Sequence, residues 1–170
     1  MKNKKNQEKN QDQLIILKKN DKPYHAAVYL SNLGIADLSL LGSKVTKVED
    51  YHFDNCKCDF FKLTLSNRIK LEEFYKEPFL LTDKIIKKAK SSRGWSKSVE
   101  SSDFILKFRK IRSKNFDDMN CIEWLVFGLE LAGYKISNNV LTASTLSKWS
   151  DENLSKIEKK DNLATFEKNY

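Results

Sequence analysis

Cys121 is the residue whose type and position point most specifically to chemistry, because it stands within the first turn of a predicted helix. Backbone N–H groups in a first turn lack helical partners, and the helix dipole places partial positive charge there. Both effects favour the thiolate, which is the nucleophilic form of cysteine. The same N–H groups could stabilise the oxyanion that forms when sulfur attacks a carbonyl. The alternative is a small buried apolar side chain, which is the commoner role of a single cysteine.

His25 and Asp37 could supply the other groups that thiol chemistry needs. An imidazole can take the thiol proton and later return it to the leaving group. A polar group beside the imidazole holds it in the required tautomer, and an aspartate among apolar neighbours needs a partner if it is buried. The residues therefore predict a triad in which Cys121 is the nucleophile, His25 the base and Asp37 the group that orients it. A histidine on a strand is otherwise more often structural.

Short apolar runs separated by turn signals predict the strands that must position these side chains. Residues 24–30 and 35–41 flank a glycine-containing turn and predict a β-hairpin, with His25 on its first strand and Asp37 on its second. Residues 58–65 predict another strand, and the partial alternation over residues 104–111 predicts a strand or an extended arm.

Helical spacing of apolar residues predicts the remaining elements. It occurs over residues 71–75 and 80–89, and most clearly from Cys121 to Gly133, where glycine marks the end of the helix. Thr142 is placed to cap a short helix that follows. The predicted fold class is α+β, a small antiparallel sheet packed with helices.

Three sequence segments carry a resemblance to a known group: YHAAVYL at 24–30, GIAD at 34–37 and NCIEW at 120–124. With them the chain resembles the circularly permuted papain-like fold of NlpC-type cysteine hydrolases, in the branch that includes lecithin:retinol acyltransferase-like enzymes. In that branch the histidine strand precedes the cysteine helix. A polar residue on the following strand completes the triad, and an Asn-Cys pair opens the helix. The segment LTASTL at 141–146 also resembles a stretch that often follows this helix.

The resemblance implies the same three roles for Cys121, His25 and Asp37. It implies a thiol-dependent hydrolase or acyltransferase that acts on an amide, isopeptide or ester bond in a peptide, amide or lipid-ester substrate, without a cofactor. The third position of the triad is often histidine in acyltransferase-like members and is Asp37 here. Aspartate keeps the orienting role but departs from the acyltransferase pattern.

Tyr24, Asn120 and Trp124 are further candidates for contacting the substrate or the oxyanion. Tyr24 and Asn120 each adjoin a triad residue, and Trp124 lies off the main apolar stripe of its helix. Packing is the alternative for both aromatic residues.

His52, Cys56 and Cys58 form a second cluster of potential ligands. Their spacing, H-x3-C-x-C, is shorter than the usual zinc pattern and lacks a fourth ligand, so no metal site is predicted.

Charge is unevenly distributed along the chain, which carries a net +8. Residues 1–20 carry +4 and residues 84–114 carry +9, so the remainder carries −5. Basic stretches of this kind suit an anionic surface or partner, although they also occur as plain solvated surface. The alternative function is therefore a non-catalytic binding module that uses its basic patches on nucleic acid or anionic membrane.

The length of 170 residues predicts one folded domain. We expect a disordered basic tail at 1–20, the catalytic domain at 21–150 and a charged tail at 151–170. No apolar run, Leu14–Leu17 included, approaches the roughly 20 residues that span a bilayer, and no secretory signal is recognisable. Three cysteines are too few for a disulfide framework, so the expected compartment is the cytoplasm.

Overall fold

A computed structural model describes residues 11–39, 42–53, 56–76 and 121–158. These ranges contain five strands, three α-helices and one short 3-10 helix, which confirms the α+β class. The strands are β1 (Gln13–Lys19), β2 (Lys22–Leu30), β3 (Gly34–Ser39), β4 (Gly42–Thr46) and β5 (Lys57–Lys62). The helices are α1 (Arg68–Lys76), α2 (Cys121–Leu131) and α3 (Ala143–Asn153), and the 3-10 helix is Val48–Asp50.

The strands form one antiparallel sheet in the order β4-β3-β2-β1-β5. The predicted hairpin is confirmed as β2 and β3, and the strand predicted over 58–65 is confirmed as β5, which ends at Lys62. Gly34 opens β3 with a φ of 120°, and a Cβ atom there would lie 2.5 Å from the Thr46 carbonyl oxygen. Only glycine therefore fits the end of this turn.

The prediction that residues 1–20 form a disordered tail is wrong for residues 13–19, which form β1 between β2 and β5. The apolar run Leu14–Leu17 is buried on both faces of the sheet. Asn20 and Asp21 adopt φ values of 52° and 61° and close a two-residue hairpin into β2. Burial of this run and a turn that tolerates positive φ together keep the segment folded.

The prediction of a charged tail at 151–170 is also wrong for its first residues, since α3 continues past residue 150. The Lys62 N–H donates to the Ser155 carbonyl at 2.9 Å, and the Ile157 N–H donates to the Phe60 carbonyl at 2.8 Å. This segment therefore satisfies backbone groups along the outer edge of β5, which would otherwise be exposed.

The sheet separates two apolar clusters. The cluster on the helical side contains α2 and α3 residues packed on strand residues Leu14, Ile16, Ala26, Val28, Leu30, Ala36 and Leu38, and it includes Cys121. The cluster on the opposite side is formed by Ile15, Leu17, Ala27, Tyr29, Ile35, Val48, Phe53, Cys56, Cys58 and Phe60. The three cysteines are thus divided between the two faces of the sheet.

The predicted cap of α3 is confirmed. The Thr145 N–H donates to Thr142 Oγ1 at 3.1 Å, and the Thr142 N–H donates in return to Thr145 Oγ1 at 2.9 Å. This reciprocal pair satisfies backbone donors that a helix start leaves open.

Several predictions lie outside the described residues: the helix over 80–89, the strand or arm over 104–111 and the basic stretch over 84–114. No helix in the described ranges has both the length and the apolar character needed to cross a membrane.

Candidate active site

The site lies where the ladder between β2 and β3 ends. The two strands pair from Leu30 with Gly34 as far as Val28 with Ala36. His25 and Asp37 lie just beyond the last pair. On its other edge β2 pairs with β1, where Leu17 is the partner of His25.

The Asp37 carboxylate contacts two other side chains of the site. Its Oδ2 atom lies 3.1 Å from His25 Nε2 and accepts a hydrogen bond from the Tyr51 hydroxyl at 3.0 Å. The Asp37 side chain is 7% exposed, and its other oxygen, Oδ1, is buried with no hydrogen-bond partner in the described part of the chain. The expectation that a buried aspartate here would need a partner is therefore met by two donors at one oxygen.

Cys121 is the first described residue of α2 and is 4% exposed. Its side chain forms a hydrogen bond with His25, so the structure brings together Cys121, His25 and Asp37. The Cys121 thiol and the Asp37 carboxylate both contact the imidazole of His25, and the carboxylate contacts its Nε2 atom. This is the connectivity that nucleophile, base and orienting group require.

Competing effects set the protonation of His25. Burial lowers the pKa of His25, but the hydrogen bonds to Asp37 and Cys121, together with the negative charges of both groups, outweigh it. The result is a pKa raised to about 9. His25 is therefore an imidazolium at neutral pH, and it can give a proton to a departing group.

The additional candidates have different placements. Tyr24 is 39% exposed, and its ring centroid lies 6.4 Å from that of His25. Trp124 lies in the core, with its ring centroid 4.6 Å from that of Tyr75 and its surface almost wholly buried. Trp124 therefore matches the packing alternative rather than a substrate contact, and Asn120 lies outside the described residues.

A cavity of about 410 Å³ adjoins the His25 and Asp37 side of the site. Its lining is mostly polar and consists of Leu17, Tyr24, His25, Asp37, Lys44, Asp50, Tyr51 and His52. Tyr51, Lys44 and Asp50 were not predicted from the sequence as residues of the site. Lys44 is the cross-strand partner of Asp37, which a correct β3–β4 register would have revealed. Tyr51 follows the 3-10 helix, and no spacing in the sequence signals that its hydroxyl reaches Asp37.

Cys56 and Cys58 form a separate pair, with their sulfur atoms 3.8 Å apart. The Cys56 thiol donates to the Phe53 carbonyl oxygen. Burial raises the pKa of the Cys58 thiol, and the neighbouring Cys56 raises it further. His52 is exposed at the cavity instead of joining the two sulfurs. Within the described ranges, no group of three or more His, Cys, Asp or Glu residues is arranged to hold a metal ion.

Comparisons of the chain with protein-family models, with curated proteins and with solved structures found no match.

Proposed function

We propose that this chain is a thiol-dependent hydrolase or acyltransferase that acts on an amide, isopeptide or ester bond. Cys121 is the nucleophile, His25 carries the proton and Asp37 orients the imidazole. The observation that carries this proposal is that one imidazole bonds to both the Asp37 carboxylate and the Cys121 thiol. A permuted papain-like arrangement is part of the proposal, since the histidine strand precedes the cysteine helix.

The reaction begins from a thiolate of Cys121 paired with the imidazolium of His25. The thiolate attacks the carbonyl carbon, and the resulting oxyanion lies near the N–H groups at the start of α2. His25 then donates its proton to the departing amine or alkoxide, which leaves a thioester on Cys121. Water or an amine attacks this thioester, His25 takes a proton from the attacking group, and the thiolate is released with the acyl product.

Asp37 has two roles in this sequence of steps. Its carboxylate holds Nε2 of the imidazole and stabilises the imidazolium between the two acyl-transfer steps.

We also place the protein in the cytoplasm, which suits three cysteine side chains that are thiols and not disulfides.

The experiment that tests the proposal is acylation by an activated ester. The full chain is treated with p-nitrophenyl acetate, and the acetyl group is located by mass spectrometry of peptides. We expect a hydroxylamine-sensitive thioester on Cys121 and loss of the adduct in Cys121→Ser. The matched control Cys58→Ser should keep the adduct, because Cys58 lies in the opposite cluster. A folded wild-type chain without an adduct on Cys121 would contradict the proposal.

A further inference from the structure

We infer that Tyr51 is a positioning residue of this site, whose hydroxyl holds the Asp37 carboxylate in the orientation that binds His25. The inference rests on the proposed function, because it extends the chain of contacts from Cys121, His25 and Asp37 to a fourth residue. It adds a requirement that neither the residue pattern nor the resemblance contains.

The geometry of the Asp37 carboxylate makes the Tyr51 bond important. Tyr51 and His25 both bind Oδ2, at 3.0 and 3.1 Å, while Oδ1 has no partner within the described ranges. The carboxylate is therefore held at one oxygen by two donors. Without the Tyr51 hydroxyl, only the imidazole would hold this carboxylate, and rotation about the Cβ–Cγ bond would no longer be opposed by a second bond.

Tyr51 itself is held so that it remains a donor. Its ring packs edge-on against Phe53, with the centroids 4.8 Å apart and the planes at 63°. Burial raises the pKa of Tyr51, and the charge of Asp37 raises it further, so the phenol keeps its proton at physiological pH. A neutral phenol can donate to Asp37 without adding charge beside it.

Other titratable groups surround the same carboxylate and must be considered in a pH experiment. Lys44 lies across the strand pair from Asp37, and Tyr24, Asp50 and His52 line the cavity. Cys58, in the opposite cluster from Cys121, also influences Tyr51. Only Tyr51 and His25 form hydrogen bonds with Asp37 in the described part of the chain, so a double substitution can separate their effect from that of the other groups.

The test is the rate at which iodoacetamide modifies Cys121 across a range of pH. Tyr51→Phe keeps the ring and removes the hydroxyl. We expect modification at about pH 6 to slow about fivefold, the size of one lost hydrogen bond. At about pH 10, where thiols ionise without an imidazole, the rates of the variant and wild type should converge. The pH profile of Cys121 modification in Tyr51→Phe should therefore shift to higher pH, which a loss of packing alone would not produce.

A double substitution tests whether Tyr51 acts through Asp37. If it does, Asp37→Asn with Tyr51→Phe should be no slower than Asp37→Asn alone, because the shared contact is already lost. Tyr134→Phe is the matched control, since it removes a hydroxyl whose 2.7 Å bond is to the Thr64 N–H, beyond the far end of α2. Its pH profile should match that of wild type.

The outcomes separate the two proposals. If substitution of His25 leaves the rate of Cys121 modification unchanged, the proposed function and this inference are both overturned. Rates that depend on His25 but not on Tyr51, or Tyr51 and Asp37 effects that simply multiply, would overturn the role of Tyr51 alone.

A measurement on the unsubstituted chain covers the case in which Tyr51→Phe does not fold. The Tyr51 hydroxyl proton should give a slowly exchanging NMR signal that Asp37→Asn removes. Absence of that signal in the folded wild-type protein would also overturn the role of Tyr51.

Discussion

Cys121 and the Cys56–Cys58 pair are equally buried, yet they lie in opposite chemical settings. The exposed fraction is 4% for Cys121, 4% for Cys56 and 2% for Cys58. On the far side of the sheet, burial and a second thiol raise the pKa of Cys58. On the helical side, Cys121 contacts an imidazole whose pKa is raised to about 9. Burial therefore does not decide the chemistry of a thiol in this fold, and the polar group beside it does.

Competition between the three thiols for iodoacetamide at about pH 6 tests most directly whether Cys121 differs from Cys56 and Cys58. An ordinary thiol, with a pKa of about 8.5, is almost wholly protonated there. We expect Cys121 to react about 100-fold faster than Cys56 or Cys58, because only Cys121 has an imidazolium partner and a helix N-terminus. Mass spectrometry of the three cysteine peptides over time measures the rates. Equal rates would mean that Cys121 is a structural residue.

The raised pKa of His25 should also make the free energy of unfolding depend on pH. A histidine whose folded-state pKa is raised stabilises the fold fully below about pH 6.5 and loses that contribution as pH rises through about 9. We expect this contribution to the free energy of unfolding, about 3 kcal/mol, to be lost across this range.

Urea titrations at several pH values measure this fall. His25→Gln should flatten the dependence, and Tyr134→Phe should preserve it because the Tyr134 hydroxyl bonds to the Thr64 N–H and not to a residue of the site. A slope that persists without His25 would assign the effect to other groups.

Removal of the imidazole should slow Cys121 rather than abolish its reaction. His25→Ala is expected to lower the rate of Cys121 alkylation about tenfold at about pH 6, because the helix N-terminus still favours the thiolate. Asp37→Asn should have a smaller effect, since the imidazole survives but loses its orienting partner. His52→Ala is the matched control, because the side chain of the other histidine is exposed at the cavity. An equal loss in the control would point to a change in the fold.

The smallest effect concerns the opposite cluster. Cys58→Ala removes one buried sulfur atom beside Cys56 and is expected to cost about 1 kcal/mol of stability through the cavity left behind. The alkylation rate of Cys121 should change less than in Tyr51→Phe, because Cys58 influences Tyr51 but leaves the hydrogen bond from the Tyr51 hydroxyl to Asp37 in place. Thermal or urea unfolding measures the cost, and a change in Cys121 reactivity as large as that in Tyr51→Phe would show that the two faces of the sheet are coupled.

Local residue patterns were sufficient for much of the site. A glycine turn between two apolar runs predicts the β2–β3 hairpin, and neighbouring strands bring His25 near Asp37. The helical spacing that follows Cys121 predicts α2, which carries the proposed nucleophile. Each of these features depends on a short stretch of sequence, in which local conformation and hydrophobic pattern agree.

The features that escaped prediction depend on distant contacts. β1 is flanked by Lys- and Asn-rich sequence, and its strand character comes from pairing with both β2 and β5. Tyr51 reaches Asp37 only because the 3-10 helix at Val48–Asp50 redirects the chain. Trp124 packs against α1 through a contact that helix periodicity alone does not specify.

The position of β1 between β2 and β5 sets an order of events for a chain made from its N-terminus. β1 emerges first and can pair at once with β2 through their two-residue turn. Its second edge has no partner until β5 has been synthesised, after the whole β2–β4 meander. An apolar strand with an open edge is a template for association with other chains. Synthesis of β5 therefore covers the open edge of β1, but the outer edge of β5 stays open until residues 155–157 have been made, after α2.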